Sequence, residues 1–265
     1  MTAQRGMSLV ELAIALAVAV FVGAASYKAF LSFNAQSISQ KRIAAGQSEI
    51  FPIQSALEKN LRRASYQIPL KAPRLLRPGV VDTVAAVSVQ GSGTAPQSIA
   101  IRGNFSEVAT QIRVAFPKTA AIMEVKTDGT AGFAARDTVL LNCGEFNEYV
   151  TVIQVGPASR LITGTRLYDY PAGTNVVKVS TVQFLPDGTS LSIITDGTSR
   201  RLTGNLSDMR FAFIGFDGKI DSTLPYQADL VKSIQYRLKI RIPKVGGRGY
   251  LYRETTGKVL LRNIQ

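Results

Sequence analysis

Hydrophobic positions along this chain follow three successive regimes. From Met7 to Tyr27 the sequence is an apolar run of 21 residues broken by one charge, Glu11, and at the α-helical rise this is about 31 Å, enough to cross the hydrocarbon core of a bilayer. Lys28 follows, placed to snorkel at the far interface. From Ala29 to Ser65 the chain is more polar, with apolar residues at Ile43, Ile50, Ile53, Leu57, Leu61 and Ala64. The last five are three or four apart, the stripe of an amphipathic helix. Lys59, Arg62 and Arg63 lie off the stripe near its C-terminal end, where cations suit the helix dipole. Pro52 is expected to kink this helix or break one turn. The pattern predicts one helix over 7–65, its first half (7–27) suited to a membrane and its second half packed on a head.

From Tyr66 the period changes. Pro and Gly cluster through Pro69, Pro73, Pro78-Gly79, Gly91-Ser92-Gly93 and Pro96, and read as a connector with a short strand at Val84 to Val89. The Gly-Ser-Gly element lacks the flanking strand and the Lys-Ser/Thr helix of a phosphate loop, and reads as a plain loop. Strand patterns then recur at Ser98–Ile101, Thr110–Phe116, Thr138–Leu141, Tyr149–Val155, Asn175–Phe184, Leu191–Thr195, Arg210–Phe216 and Ile234–Ile242. Turn signals separate them at Asp128-Gly129, Pro186-Asp187-Gly188, Asp196-Gly197 and Asp217-Gly218. No second long helix is expected. The fold class is therefore α+β, a long N-terminal helix packed on a mainly antiparallel β-sheet head over 66–265.

Only six residues, with Arg5 as their one charge, precede the apolar run. A positive charge on the short side and a long polar chain beyond predict a cytoplasmic N-terminus and an exported head. A cleaved signal with Gly23-Ala24-Ala25 as its small-residue site, an uncleaved anchor and a buried core helix all accommodate the run. Glu11 discriminates among them. An acid this far inside an apolar helix costs about 3 kcal/mol on insertion scales, and acids so placed are paired and functional. A signal peptide or a plain anchor has no use for one.

Arg5-Gly6-Met7-Ser8-Leu9-Val10-Glu11-Leu12 resembles the processing motif of type IV prepilins and type II secretion pseudopilins. The resemblance implies a leader over 1–6, cleavage between Gly6 and Met7 by a prepilin peptidase, and N-methylation of Met7. It further implies that Glu11 meets the N-terminal amine of a neighbouring subunit during assembly. Major pilins of this class commonly carry Gly and Pro at the fourteenth and twenty-second mature positions, where this chain has Val20 and Lys28, which points to a minor pilin or a pseudopilin. In the head, Arg136 to Cys143 with Tyr149 to Val155 look like a strand pair of W-type minor pilins. Leu206 to Phe213 with Phe216-Asp217-Gly218, and Ser233 to Ile242 after them, are similar to a hairpin and strand shared with J-type pseudopilins, and Leu260 to Asn263 is similar to W-type chain ends.

The resemblance implies a non-enzymatic minor pilin, in the inner membrane before assembly and in the pilus afterwards. Its partners would be the peptidase, other major and minor pilins or pseudopilins, the inner-membrane assembly platform and the lipid bilayer. A J-type pseudopilin of a type II secretion system and a DNA-capturing minor pilin are the alternatives.

Composition narrows the chemistry. The 265 residues include no His and one Cys, which excludes an internal disulfide, Ser-His-Asp and Cys-His catalysis, and thiolate-rich or imidazole metal sites. No cofactor or metal is expected. The formal charge is +13, but residues 1–77 carry 10 basic and 3 acidic side chains, 78–231 carry 12 and 14, and 232–265 carry 9 and 1. A basic excess at the two sequence ends is not the uniform surface of a nucleic-acid-binding domain. In Tyr236 to Ile242 a strand would present Arg237, Lys239 and Arg241 on one face. With Arg248 in a Gly-rich loop and Tyr250 and Tyr252 available for stacking, these are candidate nucleic-acid contacts; the competing reading is a solvated face that discourages edge pairing. Asp137, Glu145 and Glu148, and Asp208, Asp217 and Asp221, follow no calcium-loop spacing and read as solvated turn residues. Cys143 reads as a reduced, buried or inert thiol, an intermolecular disulfide being the lesser alternative.

Overall fold

The computed structural model describes residues 9–69, 71–77, 80–91, 95–126, 129–144, 146–157, 159–164, 166–221, 231–244 and 249–261. Helix α1 runs over Leu9–Arg62, 54 residues and about 80 Å by its rise. It is continuous across Pro52, so of the kink or broken turn expected there, no turn is broken. The carbonyl that Pro52 leaves without an amide donor belongs to Ser48, an exposed residue within reach of water. The helix ends where Ser65 turns left-handed at φ 63° and its amide is taken by the Arg102 carbonyl at 3.0 Å.

Strands follow in chain order: β1 (Lys71–Arg77), β2 (Val80–Ala85), β3 (Val87–Gln90), β4 (Ser98–Gly103), β5 (Ala109–Gln111), β6 (Ile122–Glu124), β7 (Thr138–Asn142) and β8 (Asn147–Gly156). After them come β9 (Arg160–Thr163), β10 (Asn175–Asp187), β11 (Ser190–Thr195), β12 (Thr198–Thr203), β13 (Leu206–Gly215), β14 (Ile220–Asp221), β15 (Val231–Pro243) and β16 (Tyr250–Leu260). They form a large sheet with the path β12-β11-β10-β7-β8-β1-β2 and a four-stranded sheet β14-β13-β15-β16. Every pairing is antiparallel except a single β1–β8 bridge at Arg74 and Tyr149. The fold is α+β.

Strand β10 joins two lobes. Its first half pairs with β5 and β7, its second half with β4 and β11. Val182 and Phe184 on the second half belong to the core that includes the helix, whereas Val176 on the first half belongs to a distal core with Ile112, Phe116, Met123, Val139, Leu161 and Tyr170. The hairpin to β11 closes on Gly188 at φ 56°, and that from β11 to β12 on Asp196-Gly197 at φ 46° and 88°. The second pair, with φ positive at both central residues, is the Asp-Gly turn whose twist matches the strands.

The stripe on α1 is the seam of the head. Ile50, Ile53, Leu57, Leu61 and the post-helical Ala64 are buried against Met209, Phe211, Phe213, Ile234, Tyr236, Leu238 and Ile240. Each large aliphatic side chain so buried contributes on the order of 2 kcal/mol. Two glycines let the layers approach. A Cβ on Gly46 would lie 2.2 Å from Ile242 Cδ1, and one on Gly257 would lie 2.2 to 2.6 Å from the Tyr236 ring and hydroxyl. Tyr236 is paired across the sheet with Gly257 and donates its hydroxyl hydrogen bond to Glu58 Oε1 at 2.5 Å. The Gln54 amide donates to the same oxygen at 3.0 Å. These bonds, the Tyr236 hydroxyl foremost, hold the Glu58 carboxyl below the ordinary range.

Some local expectations are corrected. The connector after Tyr66 contains β1 and β2, and Pro73 is tolerated there because β1 meets its second neighbour only at Arg74. The strand expected over Val84–Val89 is two, because the chain changes partner at Ala86, β2 pairing with β1 and β3 with β4. Thr110–Phe116 is a strand only to Gln111; Ile112 and Phe116 then make isolated bridges to Val125 and Tyr170, with Arg113 to Ala115 exposed between them. Strand β16 was not expected, since as an edge strand it buries only Val259 and carries no period-two signal.

The glycine-for-tyrosine fit at the seam predicts that Gly257→Ala destabilises the head by about 2 kcal/mol, by forcing the ring off the helix. Tyr236→Phe, which keeps the ring, should cost about 1 kcal/mol. Denaturant midpoints of the full chain in detergent measure both, and equal costs would contradict the fit.

Candidate functional site

The first candidate is the free half of α1. Every described residue from Leu9 to Ile38 is exposed, including Leu9, Val10, Phe21, Phe30 and Phe33 at 64 to 85%. Mean hydropathy reaches 2.3 over 18 residues, none of it buried. Arg42 bonds the helix to the head, its Nη1 donating to the carbonyls of Pro243 and Lys244 at 2.9 and 2.8 Å. The helix therefore reaches about 50 Å beyond that point. An apolar rod this long has no stable place in water; lipid or a bundle of like rods must cover it. This is a single helix long and apolar enough to span a membrane. Glu11 lies on it in the first described turn. Gly6 and Met7 lie outside the described residues.

The second candidate is the outer face of β13, β15 and β16. Strand β15 buries Tyr236, Leu238, Ile240 and Ile242 and turns Arg237, Lys239 and Arg241 the other way. Arg237 is engaged by Asp208 at 2.8 Å, and Asp208 also meets Arg210 at 2.9 Å. Lys239 sits over the Tyr252 ring at 4.7 Å and Arg241 over the Tyr250 ring at 4.9 Å. The tyrosine faces that seemed available for stacked bases thus hold the protein's own cations. Arg248 lies outside the described residues.

A third surface escaped the sequence reading. Phe51, Gln54, Ser55, Glu58, Lys59, Arg62 and Arg63 line an open groove on α1, with Phe51 at 64% exposure. Phe51 is off the stripe, and only an exposed aromatic flanked by the charges of Glu58, Lys59 and Arg62 could have signalled it.

The carboxylates do not converge. Among the described residues no group of three or more His, Cys, Asp or Glu is placed to hold a metal ion. Glu145 lies outside the described residues. Asp217 is an exposed turn residue whose carboxylate takes the Lys219 amide at 3.0 Å. Three others correct the solvated reading. Asp208 is on β13 rather than in a turn, its side chain 16% exposed and paired with Arg210 and Arg237. Asp137 pairs with Lys178 at 2.8 Å, both side chains below 20% exposure, and caps the Ala134 amide. Glu148 is 1% exposed, because it stands at the head of β8 facing the loop that carries Arg166 and Tyr170. Its Oε2 accepts from the Leu167 amide at 2.7 Å, while its Oε1 and the Tyr170 hydroxyl are buried without a protein partner. Arg166 is spent elsewhere. It donates to Thr163 Oγ1 at 2.9 Å and to the carbonyls of Pro117 and Ala120, and its guanidinium lies 3.5 Å over the Phe116 ring. Burial therefore pushes the Glu148 carboxyl up to about 7. Cys143 is half-buried and free, its thiol donating to the Phe146 carbonyl at 3.5 Å.

No protein-family model matches the sequence, and no curated protein matches it.

Glu148 has a sign that can be tested. Its folded carboxyl titrates above the unfolded value of about 4.3, so between those limits the folded chain holds a proton the unfolded chain lacks. Stability from this group is present below about pH 4.3 and is lost as pH rises through about 7, a fall of about 3 kcal/mol. Denaturation curves from pH 4.5 to 8 should show this slope and Glu148→Gln should abolish it; an unchanged slope in the variant would refute the assignment.

Proposed function

We propose that this chain is a minor pilin of a type IV pilus, a structural and assembly subunit with no catalysis of its own. On this reading the first helix anchors it in the inner membrane with the N-terminus in the cytoplasm and the head exported. A prepilin peptidase cuts between Gly6 and Met7, Met7 is methylated, and the assembly platform draws the subunit into the filament or its initiating tip complex.

The observation that carries this reading is Glu11, an acid within a helical half that the protein's own head leaves exposed, in register with the Gly6-Met7 junction. In lipid alone the carboxylate is costly. A neighbouring subunit's Met7 amine supplies the opposite charge, in a medium where Coulomb attraction is far stronger than in water. The apolar residues around Glu11 then pack against like helices, and bilayer and filament become alternative covers for the same surface. Helix α1 runs unbroken through Val20 and Lys28, which favours a minor over a major subunit.

Mass spectrometry of the protein from its producing cell should find a mature N-terminus at methylated Met7, and Gly6→Asp should leave the precursor uncut. Glu11→Leu should be processed normally yet be missing from sheared filaments. Normal incorporation of that variant would refute the assembly role, and lost protein secretion with pili intact would move the chain to a type II secretion system.

A further inference from the structure

We infer that the end of the head nearest the apolar helix half docks on an anionic bilayer surface, through Lys41 and Arg42 of α1 with Arg241, Lys244, Tyr250 and Tyr252 of the β15–β16 hairpin. This rests on the membrane-spanning reading of α1 and not on assembly into a pilus.

The direction of the hairpin places these residues together. Tyr236 bonds to Glu58, Thr255 to Gln54, Ile242 lies against Gly46, and the carbonyls of Pro243 and Lys244 are held by Arg42. Along this series the hairpin descends α1 toward its apolar half. At its lower end Lys41 and Lys244 are exposed, and Tyr250 and Tyr252 are 44 and 55% exposed. Arg241 is pre-oriented by its ring contact with Tyr250. Glu254 is the single acid in 231–261, and it lies across from Lys239 rather than among these cations.

The spacing suits a membrane surface. With Lys28 at the interface, Arg42 is fourteen residues further, about 21 Å, of which headgroups occupy about 5–8 Å. A tilt of about 20°, ordinary for a membrane helix, lowers the hairpin side, and the long Lys244 side chain reaches across part of the remainder, bringing its charge towards a Debye length of about 8–10 Å from the surface. Cations grouped with tyrosines just beyond an apolar span match the composition of a membrane interface. A nucleic-acid backbone would instead need a continuous track of cations, and Arg237, next in line on β15, is engaged by Asp208.

The test uses the full chain in nanodiscs of phosphatidylcholine, with or without phosphatidylglycerol, each holding the same fraction of headgroup spin-labelled lipid. A fluorophore is placed by Pro243→Cys in a Cys143→Ser background. Quenching should be at least about doubled in the anionic discs, return to the neutral level in 0.5 M salt, and fall to that level in Arg241→Gln/Lys244→Gln. Equal quenching in both discs by an inserted chain overturns the docking. A chain that enters neither disc overturns the membrane-spanning reading and the docking with it. Quenching that ignores lipid charge, together with salt-sensitive retention of duplex DNA by the disc-borne chain, would assign the face to nucleic acid and overturn the lipid assignment.

Discussion

One continuous helix must satisfy two media, and the packing of its second half on the four-stranded sheet makes this possible. Ile50, Ile53, Leu57 and Leu61 are withdrawn from water by Phe211, Tyr236, Leu238 and Ile240, so the helix is anchored where it can be stripped of solvent by its own chain. Everything N-terminal to Arg42 depends on that anchorage. A 54-residue helix needs tertiary support along one part of its length to hold the remainder at a defined angle to the head.

The seam combines apolar area with polar fixing. Gly46 and Gly257 remove side chains where the layers are closest. Glu58, Gln54 and Tyr236 set rotation and register with hydrogen bonds, and further along the helix Glu49 takes bonds from Thr203 and Asn205. Strand β10 extends this order outward: its second half shares the helix-side core and its first half builds the distal one. A continuous 13-residue strand, in place of a linker, connects the distal core to the helix-side core.

The charge asymmetry acquires a location from the same geometry. The basic ends of the sequence, far apart along the chain, meet where Arg42 holds the carbonyls of Pro243 and Lys244. Part of that charge is used internally, by Asp208 and by tyrosine rings, so formal charge overstates what the surface offers a partner. The distal lobe makes a different use of polarity. There Arg166 ties loop carbonyls together over Phe116, and Glu148 is left in a medium that disfavours its ionised form.

The sequence by itself determined the features carried by local periodicity and composition: the apolar run, Glu11 within it, the stripe from Ile50 to Ala64, the Asp-Gly hairpin turns and the alternation of β15. Each follows from the 3.6- or 2-residue repeat of one segment, or from a turn's need for positive φ, and needs no knowledge of a distant partner. Tertiary structure alone decided what depends on contacts between remote segments. These include the pairing of the edge strand β16, the change of partner at Ala86, the Tyr236–Gly257 fit, the burial of Glu148 and the tyrosine rings under Lys239 and Arg241. In each case the sequence shows residue types that are equally at home in solvent, and only the approach of another strand or loop removes the water.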